Sequence, residues 1–127
     1  MATSPVFAVT PRVSSVSIAT AEASYTAPTN VGTLITGAST GTRISEIVVK
    51  CAATSDAAIV RIFLHDGSTY FLFDEITVAA ATGSATVQQT RASNTYNNLI
   101  LPSGSWSVRV TTSVAQTTHV TALGADL

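Results

Sequence analysis

Charge is scarce in this chain. Only 10% of its 127 residues are Asp, Glu, Lys or Arg, against roughly 25% in an ordinary soluble domain. The six cations Arg12, Arg43, Lys50, Arg61, Arg91 and Arg109 stand singly along the sequence, and seven carboxylates bring the net charge to −1. Phosphate binding needs clustered Lys and Arg, so nucleic acid is not an expected partner. Cys51 is the one cysteine, which excludes an intrachain disulfide. It lies in a strand-like run over residues 47–52 and reads as a small buried hydrophobe, not a nucleophile. His65 and His119 are the two histidines, and no His/Cys/Asp spacing matches a zinc or calcium motif. No run approaches the roughly 20 apolar residues that span a bilayer, so no membrane partner is expected. Residues 1–11 place no Lys or Arg ahead of an apolar stretch, so they do not read as a secretory signal. The expected folding compartment is a reducing cytoplasm.

What is abundant is strand-forming sequence. Thr, Ser, Ala and Val fill the positions that charge would normally take. Such residues suit a pleated surface and lose little side-chain entropy on ordering. The length allows one domain with a self-standing core. Residues 1–12 read as an extended N-terminal arm, because Pro5 and Pro11 forbid a helix there. Val6, Phe7 and Val9 would be exposed on a free arm, which makes them the candidate protein-interface residues. Residues 13–127 read as one domain.

Within that domain short apolar runs alternate with turn residues. In residues 44–53 the period of two puts Ser45, Ile47, Val49 and Cys51 on one face, the expected core face, and Ile44, Glu46, Val48 and Lys50 on the other. Residues 58–76 read as a hairpin, with Asp66-Gly67 supplying a tight primed turn. Its return strand is apolar on both faces, which calls for cover from a second sheet or a partner. A strand is expected over residues 85–90. A second hairpin is expected over residues 96–112, turning at Pro102-Ser103-Gly104, with Trp106, Val108 and Val110 on one face. The last strand is expected over residues 117–123, followed by a tail. No segment carries a helical period. The fold class is all-β: a single-domain antiparallel β-sandwich, jelly-roll-like, with the arm in front.

No catalytic, cofactor-binding or metal-ligating residue is assigned, and the chain does not read as an enzyme. His65 and Asp66 sit at the hairpin tip, with Asp74 and Glu75 about 25 Å along the return strand. Tyr70, Tyr96 and Trp106 are aromatics with a polar handle, able to stack on a sugar or to serve a core or interface. A charge-poor surface rich in small residues instead matches the centre of a protein–protein contact, and an isolated monomer of this composition would tend to self-associate.

Two runs carry a resemblance. Residues 60–70 (VRIFLHDGSTY), followed by Phe73-Asp74-Glu75-Ile76, resemble small structural proteins of tailed bacteriophages. Residues 98–110 (NLILPSGSWSVRV) are similar to the second half of the same group. The resemblance covers roughly residues 43–114 and leaves out the arm. It implies a capsid decoration (cement) protein, often a homotrimer, on the outer capsid surface of the virion. Its partner would be the major capsid protein, and it would be made in the host bacterial cytoplasm. Related sandwiches serve in phage tails, so a tail or baseplate component is the second expectation. A carbohydrate-binding β-sandwich module is the third.

Overall fold

A computed structural model of the chain describes residues 10–127. Eight strands follow one another: β1 (Thr10–Ile18), β2 (Gly32–Thr36), β3 (Thr42–Cys51), β4 (Ala58–His65), β5 (Tyr70–Val78), β6 (Arg91–Leu101), β7 (Ser107–Thr112) and β8 (Thr118–Asp126). They form two four-stranded antiparallel sheets packed as a β-sandwich. The first has the order β1-β8-β3-β6 and the second β2-β7-β4-β5. There is no helix among the described residues. Ile18, Ile44, Ile47, Val49, Leu101 and Val120 project inward from the first sheet, and Leu34, Val60, Ile62, Val108 and Val110 from the second. Burying each such side chain contributes on the order of 1.5–3 kcal/mol. Cys51 lies in the same core, 1% exposed, as its apolar surroundings require.

Among the described residues only β4 and β5 are consecutive strands paired in one sheet. Every other connection crosses the sandwich. The expected second hairpin over residues 96–112 is therefore an arch: β6 belongs to the first sheet and β7 to the second. Two apolar strands around a Pro-Ser-Gly turn look alike in either arrangement, because each strand needs only one inward face. The expected strand over residues 85–90 is also absent. Ser84 instead folds the chain into a local turn, its hydroxyl accepting from the N–H groups of Thr86 and Val87, both at 3.2 Å, and such side-chain bonds compete with a ladder. The tail, by contrast, is strand: β8 continues through Asp126.

The β4–β5 turn also differs from expectation. Four residues, Asp66 to Thr69, connect His65 to its partner Tyr70. Gly67 has φ +104°, but no non-glycine among the described residues has a positive φ. A two-residue type I′ turn would need that at both central positions. Asp66 builds the turn with its side chain, accepting from the N–H groups of Ser68 (3.0 Å) and Thr69 (2.8 Å).

A β-bulge in β3 reverses one expected face. Ile44 pairs with Gly124 of β8 and Glu46 pairs with Leu123, which leaves Ser45 without an opposite residue. Strict alternation places Ser45 in the core and Ile44 outside. The extra residue lets Ile44 and Ile47 both point inward, each fully buried, while Ser45 is exposed. Its hydroxyl donates to the Leu123 carbonyl at 3.0 Å.

Candidate interaction surface

The candidate interface residues Val6, Phe7 and Val9 lie outside the described residues. The last part of the expected arm does not stand free. Thr10, Pro11 and Arg12 belong to β1 and pair with Asp126, Ala125 and Gly124. Asp126 accepts from the Thr42 hydroxyl at 2.7 Å and from Arg12 Nη1 at 3.1 Å, which hold its carboxyl below the usual range. The domain therefore starts no later than Thr10, not at Val13.

Exposed apolar side chains lie along β5, which runs with β6 on the same side of the sandwich, each at the edge of its sheet. β5 carries a bulge: Ile62 pairs with Asp74 while Phe63 pairs with Leu72, so Phe73 is the extra residue. Phe71, Leu72 and Phe73 are all exposed, at 48%, 41% and 43%. Ile100 on β6 is exposed on the outer face of the first sheet, in register with Arg43. Between the two edges opens a cleft of about 420 Å³, lined by Leu64 and Phe73 on one side and by β6 from Thr95 to Ile100 on the other, so that Thr95, Asn97 and Asn98 stand among Tyr96, Leu99 and Ile100. Phe73 and Tyr96 meet across it with ring centroids 5.6 Å apart.

Asp74 fixes the spacing of the cleft. Its Oδ2 accepts from the Tyr96 hydroxyl at 2.7 Å and from Asn94 Nδ2 at 2.8 Å, tying β5 to β6. Burial works against the carboxylate charge, but these two donors and the Glu75 N–H outweigh it and hold the pKa below its ordinary value. Burial, and then the Asp74 charge, push the Tyr96 phenol up. The Glu75 N–H is itself taken by Asp74 Oδ1 at 2.8 Å. With the bulge, this blunts the β5 backbone against strand addition. A partner is left the side chains and the cleft.

The outer face of the second sheet is occupied by its own groups. Arg61, Phe63 and His65 point away from the core on β4, yet none is more than 7% exposed. The segment between β1 and β2 covers Arg61, and Tyr70 packs on Phe63 and His65. Arg61 donates to the Glu22 carbonyl (3.2 Å) and the Tyr25 hydroxyl (3.0 Å), and its guanidinium lies 4.2 Å from the centre of the Tyr25 ring. Glu75 approaches Arg61 Nε at 3.4 Å. Phe63 meets the edge of Tyr70, and Tyr70 also contacts His65 and accepts from Arg109 at 3.1 Å. Burial, and then the Arg109 charge, hold His65 below its ordinary pKa. A neutral ring fits the 3.2 Å bond that its Nδ1 accepts from the Gly67 N–H. The Arg61–Glu75 row and the His65–Tyr70 row are four β4 residues apart, about 13 Å. That is closer than the sequence expectation, but beyond hydrogen-bond reach.

The covering segment is held by one carboxylate. Glu22 accepts from the N–H groups of Asn30 (2.8 Å), Ser24 (3.1 Å) and Thr29 (2.8 Å), and these bonds lower its pKa to about 2. A depressed folded-state pKa gives stabilisation that is present above the ordinary value of 4.5 and is lost as pH falls to about 2. Glu22→Gln is expected to speed amide exchange over residues 24–30 at pH 7, with variant and parent converging near pH 2. Equal protection at pH 7 would show that the charge does not hold the segment.

The other sequence candidates do not converge. Tyr70 lies on the outer face of the second sheet, Tyr96 in the β5–β6 cleft, and Trp106 half-buried against the core, so the three aromatics form no common platform. His119 pairs with Lys50, and Lys50 with Arg91, in one cross-strand row of the first sheet. Cations that stand apart in sequence are brought together there, which sequence spacing could not show. Among the described residues no three His, Cys, Asp or Glu side chains gather as a metal site. None of the helices, of which the described residues contain none, could cross a membrane. Comparison with protein-family models and with curated proteins yields no match.

Proposed function

We propose that this protein is a virion structural protein that decorates the head of a tailed bacteriophage and stabilises contacts between major capsid subunits. The observation that carries the reading is the exposed apolar run Phe71, Leu72 and Phe73 on the edge strand β5 of a charge-poor sandwich. An exposed apolar run of this kind on a small β domain marks a contact surface. The resemblance of residues 60–76 and 98–110 to phage structural proteins supports the same reading. So does the strand order, which we read as that of a jelly roll, an architecture shared by viral capsid and lectin domains. Fold alone does not fix function.

The mechanism is mechanical. A cement subunit spans a seam between capsid subunits and covers apolar surface on both sides. Each 100 Å² of apolar area removed from water contributes on the order of 2.5 kcal/mol before association costs. A homotrimer engages several such contacts at once, and linked contacts raise avidity far above that of a single one.

The test is co-sedimentation of the purified protein with undecorated heads of the phage that encodes it. Saturable binding at hundreds of copies per head is expected, together with greater survival of the heads on heating. Binding at a few copies per particle would favour a tail or baseplate position. No binding at saturating protein would overturn the decoration reading.

A further inference from the structure

We propose that the β5–β6 cleft receives the apolar segment Val6-Phe7-Ala8-Val9 of a second copy of this chain. The inference goes beyond the decoration reading, because it concerns how copies of this chain join each other: it fills the cleft beside Phe73 and leaves Phe71 and Leu72 on the β5 edge for a capsid contact.

The chemistry of the two parts matches. The cleft presents Leu64, Phe73, Tyr96, Leu99 and Ile100 together with the uncharged Thr95, Asn97 and Asn98, and the nearby carboxylate of Asp74 is already engaged by Tyr96 and Asn94. No Lys or Arg lines it. Residues 1–9 contain no charged side chain, and three of the four residues from Val6 to Val9 are larger than alanine and apolar. A neutral apolar segment enters such a cleft without leaving a charge unpaired. The bulge and the Asp74–Glu75 contact blunt β5 against strand pairing, so on the β5 side the cleft takes side chains and not a strand.

Chain geometry decides between the chain's own segment and that of a neighbour. Thr10 is in register with Asp126, Thr42 and Leu101 across the four strands of the first sheet. Three strand spacings, about 14 Å, therefore separate Thr10 from Leu101. The cleft begins at Ile100 and continues away from that row to Tyr96 and Phe73. An extended chain spans at most about 3.3–3.6 Å per residue. Phe7 lies three residues from Thr10 and reaches at most about 11 Å, and Val9 reaches about 4 Å. Even Val6, at about 14 Å, reaches only the rim. With about 5 Å more for its ring, the chain's own Phe7 gets no further than the mouth at Ile100, well short of Tyr96 and Phe73, and Val9 stops before the mouth, whereas a neighbouring copy has no such limit. Each copy then gives one segment and receives one. That is a head-to-tail contact, which closes into a ring when the rotation allows.

The experiment uses two variants. One lacks residues 1–9 and keeps the cleft. The other, Phe73→Asp, keeps the segment and places a charge in the cleft. Phe73 is exposed, and residues 1–9 precede the first paired residue, so both are expected to retain the β-sheet circular dichroism of the parent. By size-exclusion chromatography with light scattering, the parent is expected to be an oligomer and each variant alone a 13.0 kDa monomer or slightly smaller. Mixed, they are expected to form a one-to-one pair of about twice that mass, because the segment of one still fits the cleft of the other. A second measurement does not depend on oligomer lifetime. Phe7→Cys and Phe73→Cys, made in separate chains and mixed under oxidising conditions, should give an interchain disulfide. A parent that is monomeric and shows no such crosslink overturns the proposal. So does an oligomer that persists without residues 1–9, or a disulfide that forms only within one chain carrying both cysteines. Head binding by a protein that fails these tests would leave the decoration reading standing and sink this one alone.

Discussion

Phe63→Ala is expected to lower the free energy of unfolding by about 3–5 kcal/mol, the range for removing a fully buried aromatic. Phe63 is 0% exposed but is not part of the core between the sheets. It sits on the outer face of β4, in register with Arg109 on one side and Leu72 on the other. Arg61 and His65 flank it along the strand, and the edge of Tyr70 faces its ring. These neighbours are held by hydrogen bonds to the β1–β2 segment and to one another, so they cannot collapse freely into the space that truncation leaves. Urea denaturation with an unchanged m-value is the measurement. A loss below about 1 kcal/mol would mean that the outer layer relaxes into the cavity and behaves as a mobile cover.

Gly124→Ala is the second substitution with a large expected effect, and its sign is informative. Where the backbone tolerates a side chain, Gly→Ala stabilises by about 0.4–1 kcal/mol by restricting the unfolded chain. Here a Cβ would fall 2.0 Å from the Arg43 carbonyl oxygen and 3.0 Å from the Ile44 Cα. Both obstacles are backbone. β8 is a central strand between β1 and β3, so it cannot retreat without breaking a ladder on one side or the other. A destabilisation of about 3 kcal/mol is expected, at the upper end of the overpacking range. Chemical-shift changes should centre on the bulge from Ile44 to Glu46. A neutral or stabilising outcome would show that the bulge moves aside cheaply, and that Gly124 is not what allows it.

Both substitutions act on features that a local reading passes over. The alternation in residues 58–65 is visible in the sequence, and the structure keeps it. That pattern does not tell which face looks inward, because Val60, Ile62 and Leu64 alternate with Phe63 in a strand apolar on both sides. The burial of Arg61 depends on a segment nearly forty residues upstream, held down through Glu22. In residues 44–47 a single unpaired residue reverses a face, and the signal for it, Gly124, lies on another strand nearly eighty positions away. The candidate site divides in the same manner. Apolar excess in residues 70–73 is legible and calls for cover. The partner strand β6 and the cleft between the two edges are not legible, since residues 96–112 fit a hairpin as well as an arch. The row of Lys50, Arg91 and His119 is likewise a product of register.

The sequence by itself determined the fold class. Low charge, abundant β-branched and small residues, period-two runs and the absence of a helical period leave only an all-β domain, because each strand must hide one face and no segment could hide a helical stripe. It also determined that Cys51 would be buried and that the return strand of the β4–β5 hairpin would be apolar on both faces; that no second sheet covers Phe71, Leu72 and Phe73 was decided by the tertiary structure. Tertiary structure decided the rest: which sheet each strand joins, which face of β4 meets the core, where the bulges fall and which edges stand side by side. Those outcomes depend on contacts between residues far apart in the chain. The energy of a strand's inward face is nearly the same in either sheet, and only the summed fit of all eight strands selects one arrangement.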